Sequence, residues 1–371
     1  HAAAGFPTQE TWIKGIRAGN YNTWPGLSIK SVNKHFPESD ETQKGHMKGQ
    51  RQGVRSSKPK QESATTPTSK EKDIFIKIVD VKETIYTDQT GKFPYISIRG
   101  NRYIMVEIHV DANYIFMEPM KTRSEDNMIA AYLRIISKMK EAGLGLKKHI
   151  LDNEASEKYK ETIKNNRMEY ELVPPGNHRR NLAERAIQAA KDHFIGIMCG
   201  VHTSFPMNQW CALLPQTELT LNLQRQSNTI PKISALAHVH GHHNFMKHPF
   251  APMGCPVQCH EKPDKRKSWD PHSIDGWHLG TSIKHHRCFN IAIKKTRAER
   301  VSDTVFFKHH YLTTPTVTKE DAVIAAAEQL TKAIEGTIPQ GNEVLQSLKQ
   351  VAAVFTNIAN KNKTQAAKTV Q

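Results

Sequence analysis

Residues 148–191 alternate short apolar runs with polar stretches of helical length, and this order limits the fold more than any other part of the chain. Residues 149–151 form an apolar run that stops at Asp152, as a buried strand stops when its next side chain faces solvent. A polar helical stretch, a second strand over 169–173 and a helix beginning near Leu182 follow. Strands and helices that alternate in this way favour an α/β sheet with helices packed on its faces.

Three carboxylates occupy positions from which they could converge on one cation. Asp152 follows a strand, Glu184 falls in the first turn of the helix that begins near Leu182, and Asp88 ends an apolar run before a Gly/Pro turn. Taken singly, Asp152 is more simply a turn or cap residue, and Glu184 a carboxylate that complements the helix dipole. Taken together, they offer the oxygen ligands that suit Mg²⁺ or Mn²⁺.

The strings around these carboxylates resemble the Asp–Asp–Glu triad of retroviral-type integrases. Residues 87–94, TDQTGKFP, are similar to the family's Asp-x-x-Gly-x-Phe/Pro. Residues 151–154, LDNE, are similar to its Asp-Asn-Gly, and residues 181–185, NLAER, to its Asn-Gly-x-Ala-Glu-Arg. The resemblance covers about residues 74–312 and is nearest to the integrase region of copia-type LTR retrotransposon polyproteins.

The chain departs from the family pattern at a few positions. Glu154 replaces a glycine and places a second carboxylate beside Asp152, and we interpret it as a helix-start residue rather than a ligand. Asp80 could rival Asp88 but lacks the Gly-Lys-Phe-Pro continuation. The gap between Asp152 and Glu184 is a few residues shorter than is usual in the family.

The resemblance implies a ribonuclease H-like mixed sheet flanked by helices, followed by a small β-rich C-terminal domain. The amphipathic pattern after residue 317 adds helical extensions. The resemblance also implies a polynucleotidyl transferase in which Asp88, Asp152 and Glu184 hold two Mg²⁺ or Mn²⁺ ions. The partners would be element-end and target DNA and further copies of the chain. The location would be the nucleus, with a cytoplasmic particle stage.

The strand and helix patterns elsewhere agree with this order. Apolar and β-favouring runs predict strands over 83–88, 103–110 and 114–118, and helical spacing predicts a helix over 124–141. We divide the chain into five parts: an N-terminal helical remnant (1–50), a flexible basic linker (51–73), the catalytic core (74–227), a basic β-rich domain (228–317) and a helical extension with a polar tail (318–371).

The charge balance favours a nucleic-acid partner. Lys and Arg total 52 against 36 Asp and Glu, a formal net charge of +16, and such an excess favours a polyanion. Five cysteines in a long chain argue against a disulfide framework. No apolar run approaches the ~20 residues that span a bilayer, so no membrane association is expected. Because the first residue is His, we expect a piece of a longer polyprotein or a fragment.

The helix after Leu182 offers candidate DNA contacts. Glu184, Gln188 and Lys191 share one face, and the apolar residues of the helix lie on the opposite face. Related integrases hold DNA ends with similarly placed residues, so the resemblance assigns Gln188 and Lys191 to DNA. The basic residues Arg179, Arg180 and Arg185 are further candidates for phosphate contacts. An ordinary solvated helix face is the alternative.

Zinc is not expected in the N-terminal part, because no cysteine occurs before Cys199. A second candidate, Cys255-x₃-Cys259 with His260, lacks a following cysteine pair and is disfavoured.

Short strands over 256–311 carry basic residues among aromatic ones, which suits a small DNA-binding β-barrel; a β-rich domain with a solvated basic surface is the alternative. Two alternatives to an active integrase also stay open. One is a catalytically inactive, nucleic-acid-binding relic, and the other is a ribonuclease H-type nuclease that cuts without joining.

Overall fold

The computed structural model describes residues 1–48, 82–151, 155–173 and 182–312, together with scattered helical residues between 323 and 357. The chain divides into two compact units, His1–Thr313 and Thr314–Gln371. The predicted linker over 51–73 and the polar tail lie outside the described residues, as do Asp80, Asp152, Glu154, Arg179 and Arg180. Among the described residues, no helix is long and apolar enough to cross a membrane.

The first unit contains two sheets and the helices around them. The described helices are α1 (Gln9–Arg17), α2 (Ile29–His35), α3 (Asp40–His46), α4 (Glu125–Glu141), α5 (Glu157–Asn165), α6 (Leu182–Gly200), α7 (Leu214–Gln224) and α8 (Ala235–His240). The strands of the first sheet are β1 (Thr84–Gln89), β2 (Tyr103–His109), β3 (Tyr114–Met120), β4 (Lys148–Leu151) and β5 (Glu169–Leu172).

The strand order of the first sheet is β3-β2-β1-β4-β5. The β1–β2 and β2–β3 pairs are antiparallel, and the β1–β4 and β4–β5 pairs are parallel. This is the ribonuclease H-like mixed sheet that the resemblance implies, and it confirms the predicted fold class. The chain order explains why the sheet contains both kinds of pair. The first three strands follow one another as an antiparallel meander, whereas the later strands are separated by helices that provide the crossover a parallel strand needs.

Alternation along the strands separates the two faces of this sheet. Ile85 packs in the core beneath α4 and α5, whereas Tyr86 packs in the core beneath α6. Tyr132 of α4 and Tyr159 of α5 belong to the first core, and Ala186 of α6 belongs to the second. Helices therefore cover both faces, and α6 packs directly on β1 and β2.

Side chains from α7 occupy the free edge of β3. Asn222 accepts a hydrogen bond from the Ile115 N–H through Oδ1 (2.8 Å) and donates through Nδ2 to the Ile115 carbonyl (2.8 Å). Glu218, one turn earlier, accepts from the Met117 N–H (2.9 Å). An unpaired edge strand is a template for association with another chain. The side chains of Asn222 and Glu218 hydrogen-bond the β3 backbone groups that another strand would otherwise pair with.

The N-terminal helix α3 packs against α6. Gly45 of α3 lies so close to α6 that an added Cβ would stand 2.7 Å from the Asp192 carbonyl oxygen and 2.8 Å from the Gly196 nitrogen. A glycine on each helix thus allows the two backbones to approach closely. Pro215 stands at a division between two helices, because a 3₁₀ helix over Met207–Leu213 ends where α7 begins, with the proline in the first turn of α7.

The second sheet is antiparallel, with strand order β10-β6-β7-β8-β9. Its strands are β6 (Pro256–His260), β7 (Ser273–Thr281), β8 (Phe289–Ile293), β9 (Glu299–Ser302) and β10 (Val305–Phe307). The β-rich C-terminal part is therefore confirmed. Within the described range 182–312, however, β9 and β10 stand at opposite edges of the order, so the five strands form an open sheet rather than the expected barrel.

Candidate active site

Asp88 lies near the end of β1, on the face of the sheet that α6 covers. It follows Tyr86 by two residues, and alternation returns its side chain to the same face as Tyr86. The side chain of Asp88 is half-buried, and its Oδ1 accepts a hydrogen bond from the Gln89 N–H (2.6 Å). The strand pairing places Asp88 opposite Val106 of β2. The predicted strand-end position of this carboxylate is therefore present.

The loop after Asp88 is fixed by its own polar and aromatic residues. The Thr90 hydroxyl accepts from the Ile104 N–H (3.1 Å), and the Thr90 carbonyl accepts from the guanidinium of Arg123 (2.6 Å). Phe93 stacks on Trp210 with ring centroids 4.4 Å apart. The Thr-Gly-Lys-Phe string thus holds the end of β1 against the helical layer, which is a structural reason for these residues beside a carboxylate.

The parallel neighbour β4 brings a second strand end to the same edge. Tyr86 of β1 is in register with Ile150 of β4. Ile150 packs against the core beneath α6, whereas Leu151 packs in the core on the other face. The predicted ligand Asp152 comes next after Leu151 in the sequence and lies outside the described residues. Its role as a ligand stays a prediction.

Glu184 lies in the first turn of α6, and its side chain is exposed. Its neighbours Ala183, Ala186 and Ile187 are buried against the sheet. The carboxylate therefore does not point into the core, and the helix that carries it packs on β1, the strand of Asp88. That Asp88 and Glu184 share a ligand site stays a prediction.

The other predicted DNA contacts on α6 are exposed as well. Arg185, Gln188 and Lys191 are all on the solvent side of the helix. The Gln188 amide donates to the Asp192 carboxylate, so a DNA phosphate would compete with an existing hydrogen bond at this position. Arg179 and Arg180 lie outside the described residues and remain predictions.

A buried polar cluster lies directly behind Asp88, on the α4 and α5 face of the sheet. Thr87 Oγ1 and His149 Nε2 are 2.7 Å apart, which joins β1 to β4. Glu107 of β2 is the cross-strand partner of Thr87 and is fully buried. The His149 ring stacks on Tyr132, with centroids 5.2 Å apart, and has Tyr159 at its edge. This cluster supports the two strands from which Asp88 and Asp152 come.

Burial sets the charge of this cluster. Burial raises the pKa of Glu107 to about 8, an effect that the nearby Thr87 hydroxyl offsets only in part. Burial lowers the pKa of His149 to about 3. Both groups are therefore mainly neutral near pH 7. Among the described residues, three atoms of this cluster have no hydrogen-bond partner: Oε1 and Oε2 of Glu107, and Nδ1 of His149.

Sequence reasoning did not single out Thr87, Glu107 or His149. In the sequence, His149 stands only as the first residue of an apolar run. The available signal was a histidine and a glutamate within otherwise apolar strands. Such residues inside a sheet are costly to bury and so need polar neighbours on adjacent strands.

The Cys255 and Cys259 pair shows no arrangement typical of a zinc site. Both cysteines are fully buried, and His260 is exposed, so Cys259 and His260 face opposite sides of β6. Burial raises the pKa of Cys255 to about 11, which keeps it a thiol near neutral pH. Within the described ranges, no group of three or more His, Cys, Asp or Glu side chains could hold a metal ion. Asp152 lies outside these ranges.

Comparison with known proteins gives structural likenesses only. No family model matches the sequence, and no curated protein matches it. The catalytic core domain of BIV integrase is similar at 14% identity and a TM-score of 0.33, over 43% of this chain and 93% of that one. A chain of the simian T-cell lymphotropic virus intasome, solved with PP2A regulatory subunit B56 gamma, is similar at 12% identity and a TM-score of 0.33, over 62% of this chain and 83% of that one. At these values the likenesses carry no argument about function, and the fold assignment rests on the strand order.

Proposed function

We propose that the chain is a retrotransposon integrase, a polynucleotidyl transferase that processes DNA 3′ ends and joins them to target DNA. One observation carries the proposal. Asp88 on β1 and Ile150 on β4 share the sheet face covered by α6, and the first turn of α6 presents an exposed Glu184. The two-residue period of a strand predicts the same face for Asp152.

Asp88, Asp152 and Glu184 would hold two Mg²⁺ or Mn²⁺ ions. The donor set fits, because all three are carboxylates and the two described ones are open to solvent at least in part. When bound, the ions supply positive charge to the phosphate oxygens and lower the pKa of an attacking hydroxyl or water.

The residues of this chain then have positioning roles. In-line displacement at phosphorus needs no covalent intermediate with the protein. The protein therefore contributes to catalysis mainly by positioning the substrate and neutralising its charge. Arg185, Gln188 and Lys191 would hold the phosphate backbone beside the carboxylates, and Arg179 and Arg180 would extend this surface. The partners would be element-end and target DNA, held by more than one copy of the chain. The working location would be the nucleus, with a cytoplasmic particle stage.

The test is product formation from a labelled duplex that carries the element's terminal sequence, with a supercoiled plasmid as the target and Mn²⁺ present. We expect end nicking and labelled plasmid from the wild type, and neither from Asp152→Asn. Glu161→Gln, an exposed carboxylate on α5, is the matched control and should keep both activities.

Two other outcomes would each favour a different function for this chain. DNA binding without products in the wild type would favour the inactive nucleic-acid-binding relic. Nicking without joining would favour a nuclease of the ribonuclease H type.

A further inference from the structure

The loop between β6 and β7 displays a tryptophan to solvent. Trp269 is 98% exposed, whereas Trp12, Trp210 and Trp277 are buried and Trp24 is half-buried. A tryptophan carries the largest apolar surface of any side chain, and a soluble protein normally covers most of it. A fully exposed indole therefore indicates a surface that binds a partner.

The loop holds Trp269 in a defined turn. The Asp270 N–H donates to the Lys267 carbonyl (3.1 Å), and the Lys267 N–H donates to the Asp270 carboxylate (2.8 Å). Ser268 and Trp269 are the two central residues of this four-residue turn. Because both ends are tied together, the indole is presented from a fixed backbone.

The base of the loop is tied to the second sheet. The Glu261 N–H donates to the His272 carbonyl (2.8 Å), and the Glu261 carbonyl accepts from Arg266 Nε (3.3 Å). Arg300 of β9 makes two hydrogen bonds to the Glu261 carboxylate (3.0 and 3.2 Å). Ordering the loop in advance reduces the entropy that binding would otherwise cost.

The loop segment that precedes the indole is basic in sequence. Four cations lie within seven positions before it: Lys262, Lys265, Arg266 and Lys267. The neighbouring acids are Asp264 and Asp270, and the Asp270 carboxylate already accepts the hydrogen bond that closes the turn. A planar aromatic group beside cations matches a partner that alternates planar bases with anionic phosphates.

We propose that Trp269 stacks on an unpaired base of nucleic acid while the flanking lysines contact the adjacent phosphates. Duplex DNA keeps its bases stacked on each other, so the preferred partner is a single-stranded or frayed segment. The identity of that nucleic acid as DNA rests on the proposed function. The stacking itself does not require catalysis.

The test uses single-stranded oligothymidylate and a blunt duplex of equal length, with the full chain. Trp269 is the fully exposed tryptophan, so its fluorescence responds to stacking and to iodide. We expect oligothymidylate to quench the wild-type emission and to protect it from iodide, and the duplex to do so weakly. Trp269→Ala should abolish the quenching and lower single-strand affinity by about tenfold, with little change for the duplex.

Two further variants separate stacking from charge and from folding. Trp269→Phe keeps an aromatic ring and should keep most of the single-strand affinity. Lys267→Ala should weaken both oligonucleotides and leave the quenching at saturation unchanged. Wild-type affinity of Trp269→Ala for oligothymidylate, or unchanged emission of the wild type at saturation, would overturn the proposal. Asp88→Asn should still show the quenching, so failure of the catalytic proposal is a separate result.

Discussion

Thr87 Oγ1 lies 2.7 Å from His149 Nε2, and this buried contact joins β1 to β4 one residue before Asp88 and three residues before Asp152. The pair therefore fixes the two strands that supply candidate ligands. Because the contact is on the face opposite α6, it can act on the site only through the backbone. Thr87 and His149 are positioning residues in this account.

Thr87→Val keeps the shape of the side chain and removes the hydroxyl, which leaves a buried imidazole nitrogen without its partner. We expect the free energy of unfolding to fall by about 1–3 kcal/mol. Product formation should fall at saturating DNA without a matching loss of DNA affinity, because the strand ends lose their register. Urea unfolding and a comparison of turnover with affinity check this. Thr87→Ser keeps the hydroxyl and should keep most of the stability and most of the product formation. Wild-type product formation by Thr87→Val would contradict the positioning role.

Much of the site's framework could be predicted from the sequence, because local patterns determine it. The strand ending near Asp88, the helix beginning at Leu182 and the exposed face of Glu184, Gln188 and Lys191 all follow from periodicity and turn residues.

The remaining features depend on pairings between distant residues. Asn222 reaches Ile115, and Glu107 meets Thr87, only because the fold brings separate segments together. Arg300, one of many cations in the β-rich part, is engaged by Glu261, a partner that charge counting does not reveal.

Glu107→Gln tests the buried cluster through pH. The pKa of Glu107 rises from 4.5 to about 8 in the folded protein because the carboxyl is buried. The folded state thus keeps a proton that the unfolded chain releases between these values. The associated stability is fully present below about pH 4.5 and is lost as the pH rises through about 8.

The glutamine variant should remove this loss. At about pH 9 we expect its free energy of unfolding to exceed that of the wild type by a few kcal/mol, and at about pH 4.5 the difference should nearly vanish. Both proteins should still lose stability below about pH 6.5, because His149 has a lowered folded pKa and the unfolded state takes up the proton. Chemical denaturation from about pH 4.5 to about pH 9 is the measurement, and a stability difference between the two proteins that stays constant over this range would refute the assignment.

Lys191→Ala tests the DNA surface on α6. Loss of one phosphate contact should weaken duplex binding and reduce the slope of log affinity against log salt by about 1. Lys140→Ala, an exposed cation on α4, is the matched control and should leave the slope unchanged. Fluorescence anisotropy at several salt concentrations provides both numbers. Equal salt-dependence slopes for Lys191→Ala and Lys140→Ala would show that Lys191 does not contact the DNA.

Asn222→Ala tests the protection of the β3 edge. The variant leaves the Ile115 N–H and carbonyl without their partners, so we expect a loss of about 1–3 kcal/mol in the free energy of unfolding. An open edge should also promote self-association, which light scattering detects. Asn33→Ala on the exposed side of α2 is the control. Unchanged stability of Asn222→Ala would show that water satisfies the edge equally well.

The central claim is that Asp88, Asp152 and Glu184 act as one site. The most direct measurement uses a branched DNA that reproduces the joined product, because a site that catalyses joining must also catalyse its reverse. Asp88→Asn, Asp152→Asn and Glu184→Gln, each at equal DNA occupancy with Mn²⁺, should all fall to background. The double variant Asp88→Asn/Glu184→Gln should be no lower, since groups that act as a unit are not additive. Glu161→Gln should resolve the branch at the wild-type rate, and activity retained by any one of the three single variants would contradict the shared site.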